Sequence, residues 1–194
     1  MHETGWRVRG IRWPRRPWPL WAVLLLALLP RAGCVGYSIP EASDPEAVLT
    51  PPAAPLDAAD TAAIITEILR QANRARSAVG ARPLAPDPAL DTAAREYAAE
   101  LAERGAIGHS STTPGRRTVR ERLRAAGANY RRSGENLALM QNTASQLPVR
   151  VVRGWLRSPG HRTNLLDPRF RYSGLGVTRD EGGRWFVVQV YGGE

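Results

Sequence analysis

The sequence of 194 residues contains no lysine, one cysteine, two methionines, two phenylalanines and three histidines. A single cysteine excludes a disulfide framework within the chain, and it excludes a structural zinc site built from several thiolates. With lysine absent, all 27 basic residues are arginine and the formal net charge is +9. That absence reads as a coding bias toward Arg and Ala and carries no functional signal. The hydrophobic fraction of 43% is ordinary for a globular protein, which excludes disorder throughout. Histidine is scarce enough to matter: with His2 near the start, His109 and His161 are the imidazoles left to a mature domain. No HExxH or comparable compact metal motif is present.

Charge divides the chain into three parts. Residues 1–34 carry six Arg against Glu3, a charge of +5; residues 35–60 carry five acids and no Arg, a charge of −5; residues 61–194 carry 21 Arg against 12 acids. In the first part, Arg7, Arg9, Arg12, Arg15 and Arg16 precede the uncharged apolar run Leu20 to Leu29. As a helix that run rises only about 15 Å, roughly half of the hydrocarbon thickness, so an export leader is expected rather than a permanent span. Ala32-Gly33-Cys34 resembles the bacterial lipoprotein signal, in which small residues precede a cysteine that becomes the lipidated amino terminus. Arg31 departs from that pattern, which wants an apolar residue there, and ordinary secretion with nearby cleavage is the alternative. Arg15-Arg16 stands before Pro17 in a Trp-rich setting and makes a weak twin-arginine signal. Residues 35–60, with Pro40, Pro45, Pro51, Pro52 and Pro55, read as a solvated, partly extended Pro/Ala/acidic linker.

Helical periodicity begins at Thr61. Ile64, Ile65, Ile68, Leu69 and Ala72 share a face, Asp60 or Thr61 can cap, and Gly80 closes the segment. Further helices are expected over Pro88 to Arg104, Thr118 to Ala126 and Ser145 to Leu156, with an irregular Gly/Asn-containing stretch before the last of these. Period-two strands follow at Gly174 to Thr178 and Trp185 to Tyr191, joined by a hairpin turn containing Gly182-Gly183. Helices first and strands last give an α+β domain in which helices cover a central antiparallel sheet.

His109 and His161 each sit among turn-forming residues, and Glu135 lies between them in the irregular stretch. Imidazole and carboxylate brought together can hold a divalent cation such as zinc, or exchange protons near neutral pH. Ser158 and His161 are three apart, but Pro159-Gly160 suits a turn and no orienting acid accompanies them, so a serine hydrolase is not indicated. The arginines of residues 116–132 lack interleaved aromatics apart from Tyr130, which argues against nucleic acid. Arg117, Arg120 and Arg124 have the spacing of a solvated helix face able to touch anionic lipid or polymer.

Asn73-x-x-Arg76, Ala94-x-x-Tyr97-Ala98, His109-Ser110, Gly134-Glu135-Asn136, Trp155-x-x-Ser158-Pro159-Gly160-His161-Arg162-x-Asn164-Leu165-Leu166 and Val188-Gln189-Val190-Tyr191-Gly192 resemble, in order, the motifs of the CAP superfamily, or SCP domain. The resemblance covers residues 61–194 and implies an α-β-α sandwich. Many eukaryotic members of that superfamily have a cleft of two His and two Glu able to hold zinc. His109 and Glu135 match one of each, whereas Ser158 and Phe186 stand where the second Glu and second His would be, and His161 belongs to the bacterial form of the motif. Asn136, Trp155, Ser158, Arg162 and Asn164 read as structural parts of the motif: Trp155 as core, Arg162 and Asn164 as braces of the turn.

Two functions are therefore expected from different classes. The first is an exported, lipid-anchored (through Cys34), monomeric binding or interaction module of the bacterial cell envelope, its partner a lipid, an anionic envelope polymer or a protein. The second is a divalent-metal-dependent hydrolase or protease using His109, Glu135 and His161.

Overall fold

Asp60 starts the first helix because its short carboxylate can turn back and accept from the backbone N–H of Ala63 at 2.9 Å, satisfying a donor that the first turn leaves free. The computed structural model describes residues 43–50, 60–141 and 144–194; the leader, Cys34 and residues 51–59 lie outside them. α1 (Thr61–Ala78) buries Ile64, Ile68, Ala72 and Ala75. β1 (Ala85–Pro86) is a two-residue strand. α2 (Pro88–Arg104) has Asp87 as its cap, Pro88 in the first turn, and Gly105 in the left-handed conformation at its end. α3 (Val119–Ala125) opens with a reciprocal capping box between Thr118 and Glu121. β2 (Arg132–Met140) is followed by a short 3-10 turn, α4 (Leu147–Arg157), α5 (Pro159–Leu166), β3 (Phe170–Arg179) and β4 (Trp185–Gly193).

The strands form one sheet in the order β1-β3-β4-β2. β3 and β4 make the expected antiparallel hairpin, and β2 pairs antiparallel with β4 from Arg132↔Gly193 to Met140↔Trp185. The expected antiparallel sheet is thus mixed, because β1 joins β3 in parallel. Every residue of β4 is buried, and its side chains alternate between two cores. Phe186, Val188 and Val190 meet Leu90, Tyr97, Leu101 and Leu123 from α2 and α3. Trp185 and Val187 meet Ile64, Ile68, Leu147, Val151, Val152 and Trp155 from α1 and α4. Helices on both faces of the sheet make an α-β-α sandwich. α2 lies so close to β3 that a Cβ added at Gly174 would fall 2.0 Å from the carbonyl carbon of Leu90.

Three expectations are corrected. The stretch read as irregular contains β2, whose Arg-Ser-Gly-Glu-Asn opening hides the period of a strand because the buried partners of Glu135 and Asn136 are polar. Ser158-Pro159-Gly160-His161, read as a turn, is instead the cap and first turn of α5. Residues 43–50 of the supposed solvated linker dock on the domain: Leu49 is buried with Ile64 and Val152, Gln71 accepts from the Thr50 amide, and Glu46 pairs with Arg153 and Arg157.

Candidate functional site

β2 is the free edge of the sheet, and a free edge presents unpaired carbonyls that invite another strand. Here side chains from the helices cover them. Trp155 Nε1 donates to the Leu137 carbonyl at 3.0 Å, and Asn164 Nδ2 donates to the Glu135 carbonyl at 3.1 Å. Asn164 also donates to Asn136 Oδ1 at 3.1 Å, while Asn136 Nδ2 donates to the His161 carbonyl at 2.9 Å and to the Tyr191 hydroxyl at 3.0 Å. These bonds fasten the start of α5, and with it His161, against the middle of β2. Tyr191 in turn donates to Gln189 Oε1 at 2.8 Å, and Gln189 Nε2 donates to Ser173 Oγ at 2.9 Å. A neutral polar chain therefore runs behind the edge strand, and burial raises the Tyr191 phenol well above its ordinary pKa.

The opposite face of β2 carries charge. Alternation along the strand turns Glu135 away from Asn136 and toward α2 and α3. Its carboxylate is fully engaged: Oε2 accepts from Arg122 Nη2 at 2.5 Å, and Oε1 lies 2.8 Å from His109 Nδ1. The Arg122 and Glu135 side chains are both only 4% exposed, whereas the His109 side chain is 61% exposed. The Arg122 guanidinium stacks 3.6 Å above the Tyr97 ring, and its Nη1 reaches the carbonyls of His109, Arg116 and Arg117 at 3.2 to 3.4 Å. Tyr97 donates to the Gly108 carbonyl, and Glu100 holds Ser111 Oγ and the Thr112 amide. The loop that presents His109 is thus pinned from α2, α3 and β2, and its imidazole has little freedom to turn.

The two histidines differ electrostatically. The hydrogen bond that His109 donates to Glu135 is the largest influence on the imidazole and raises its pKa above the usual value, so the imidazolium is favoured. Burial lowers the pKa of His161, and repulsion from His109 lowers it further, which places the two imidazoles within electrostatic reach of each other. With Nδ1 of His109 held by Glu135, its Nε2 is the atom free to meet a ligand. The arrangement pairs one imidazole whose protonated form is favoured with a second whose neutral form is favoured.

Glu135 is poorly placed as a direct ligand of a divalent cation, because its two oxygens already meet Arg122 and His109 and a cation there would sit beside the buried Arg122 charge, whereas Nε2 of His109 stays open. Among the described residues, no group of three or more His, Cys, Asp or Glu side chains is placed to hold an ion. Ser158 caps α5 from the backbone and makes no side-chain cap bond. Arg162 makes a long contact of 3.4 Å with the Leu156 carbonyl. Arg122, Tyr97 and Arg76 were not among the candidates. Arg122 was legible from Val119, Arg122, Leu123 and Ala126, which share the inward face of α3 at helical spacing. Arg76 is wholly buried and clamps the carbonyls of Arg82, Leu165, Asp167 and Phe170, tying α1 to the connection between α5 and β3.

Comparison with known proteins agrees with this architecture. Residues 69–191 match the model of the family described as CAP, the cysteine-rich secretory protein family. The chain is similar to YkwD of Bacillus subtilis (strain 168), an uncharacterised protein, with 31% identity over 119 residues, 61% of this chain and 44% of that one. Among solved structures, it is similar to an extracellular protein containing a SCP domain from Bacillus anthracis str. Ames, at TM-score 0.60 and 25% identity over 73% of this chain and 45% of that one. It also shares its fold with an outer surface protein from Borrelia burgdorferi, at TM-score 0.62 and 22% identity over 73% of this chain and 98% of that one. The chain spans under half the length of the two Bacillus proteins.

Proposed function

The chain belongs to the cysteine-rich secretory protein (CAP) family, and on that premise we propose that it is an exported, lipid-anchored binding module of the bacterial cell envelope. The basic, then apolar, leader ending at Cys34 supports export and anchoring, and the similar Bacillus anthracis protein is described as extracellular. Binding rather than hydrolysis is favoured by one observation: both carboxylate oxygens of Glu135 are occupied, one by Arg122 and one by His109. A carboxylate so held serves to orient the imidazole, which leaves it poorly placed to act as the general base of a hydrolase. His109 then acts as an oriented surface group whose protonated form Glu135 favours, with His161 within electrostatic reach as a second hydrogen-bonding group. The partner such a pair recognises is a carboxylate, phosphate or hydroxyl group on an envelope component.

Histidine NMR tests this reading directly. Acidic envelope fragments added to the protein should shift the ring resonances of His109 and His161, and His109→Gln should abolish binding while leaving the melting temperature nearly unchanged. Binding that survives His109→Gln combined with His161→Gln would exclude the cleft, and stoichiometric zinc shifting both rings would return the site to metal chemistry. The anchor has its own test. Cys34→Ser should move the protein from the membrane fraction to the soluble fraction, and unchanged fractionation would remove it.

A further inference from the structure

α4 presents a second, separate concentration of charge. Arg150, Arg153 and Arg157 fall at i, i+3 and i+7, so they form one row about 10 Å long on the helix. They line a groove of about 540 Å³ whose remaining wall includes Met140, Val149 and Gly154. The absence of a side chain at Gly154 helps to keep it open, since a Cβ there would come within 3.6 Å of the Met140 methyl carbon. Among the described residues, Glu46 is the acid that meets the row. It accepts from Arg157 Nη2 at 2.6 Å and lies 3.2 Å from Arg153 Nε, out of line for a hydrogen bond there. One carboxylate against three guanidiniums leaves the groove with two uncompensated positive charges, beside an apolar floor.

Glu46 also fixes where the chain arrives. It is twelve residues beyond Cys34, so no more than about 40 Å of fully extended chain separates the two. We infer that the Arg150, Arg153 and Arg157 face of α4 is a membrane-docking surface that seats the phosphate headgroups of anionic lipids. This inference rests on the lipid-anchor reading, because an acyl chain at Cys34 would hold the bilayer within that short tether of the row. Charge complementarity supplies the attraction, at roughly a fivefold gain in partitioning for each arginine near an anionic surface. The docked segment 43–50 serves as the strap that turns this face, rather than the solvated arginines of α3, toward the lipid.

Vesicle sedimentation of residues 34–194 carrying Cys34→Ser tests the surface without a lipid chain. Every core residue of the described fold lies within this piece. The probe is phosphatidylcholine vesicles with and without phosphatidylglycerol. Binding should require phosphatidylglycerol and should weaken by about 100-fold, three charges at roughly fivefold each, when Arg150, Arg153 and Arg157 are all changed to Gln. Changing Arg117, Arg120 and Arg124 to Gln removes the same charge from α3 and the turn before it and should leave most of the binding intact. Equal losses from the two triple variants, or a larger loss from the α3 variant, would overturn the assignment. So would soluble polyphosphate that binds the row while the anionic vesicles do not. Because no acyl chain is present, vesicle binding stands or falls apart from the fractionation test of Cys34, and the two failures are distinguishable.

Discussion

The two faces of β2 solve the burial of polar groups in opposite ways. Toward α1, α4 and α5, the chain from Asn164 through Asn136, Tyr191 and Gln189 to Ser173 is neutral, with each member hydrogen-bonded to the next. Toward α2 and α3, Arg122 and Glu135 form a buried ion pair that ends in an exposed imidazole. A neutral chain specifies packing and does not respond to pH between 5 and 8. A charged pair that ends at the surface instead places a titrating group where a partner can reach it. The contrast separates the motif residues that hold the edge strand from those that end at the surface.

The sharpest way to break this comparison is to remove the guanidinium. Arg122→Met leaves Glu135 charged and buried without its partner, and should cost about 3–5 kcal/mol in urea unfolding. Adding Glu135→Gln should recover a substantial part of that loss, because the orphaned charge disappears; no recovery would mean that Arg122 acts chiefly through the loop carbonyls. On the neutral side, Tyr191→Phe deprives Asn136 and Gln189 of their shared hydroxyl and should cost about 1–3 kcal/mol. That cost should be the same at pH 5 and pH 8, and a pH-dependent cost would show that the two faces are coupled. Asn164→Ala uncovers the Glu135 carbonyl on a half-buried edge and should cost about 1 kcal/mol, while protection of the β2 amides from hydrogen exchange falls.

The smallest effect belongs to the exposed imidazole. Because Glu135 raises the His109 pKa, its contribution to stability is complete below the unfolded value near 6.5 and is lost as pH rises through the folded value. His161 has the opposite sign: its lowered pKa means that stability is lost as pH falls below about 6.5 toward its folded value. His109→Gln should therefore flatten the stability profile on the alkaline side of 6.5 and leave the acid-side loss in place. A profile unchanged on both sides would show that the Glu135 bond to His109 is not made in solution.

Local signals in the sequence located most helices. Asp60 and Asp87 cap where short acids before periodic apolar runs cap, Gly105 ends α2, and the helix expected over Pro88 to Arg104 is the helix observed. The β3–β4 hairpin was legible because its apolar residues are continuous and its turn holds Gly182-Gly183. β2 was not legible, because its first half buries Glu135 and Asn136 against Arg122 and Tyr191, which leaves only the short run Leu137 to Met140 apolar. α5 was hidden by Pro159 and Gly160, which signal a turn in isolation but are tolerated in the first turn of a helix.

Residue order alone pointed to the family and the layered fold, and it named His109, Glu135 and His161 as candidates for a site. What kind of site that is depended on the folded arrangement. Arg122 lies thirteen residues from Glu135 in a stretch dense with solvated arginines, and helical spacing, which turns it inward, cannot say what it meets there. Packing decides it. Tyr97 offers Arg122 an aromatic face, loop carbonyls take its Nη1, and the carboxylate at the edge strand completes its desolvation, so that one arginine among many becomes the partner of Glu135, the carboxylate that raises the His109 pKa.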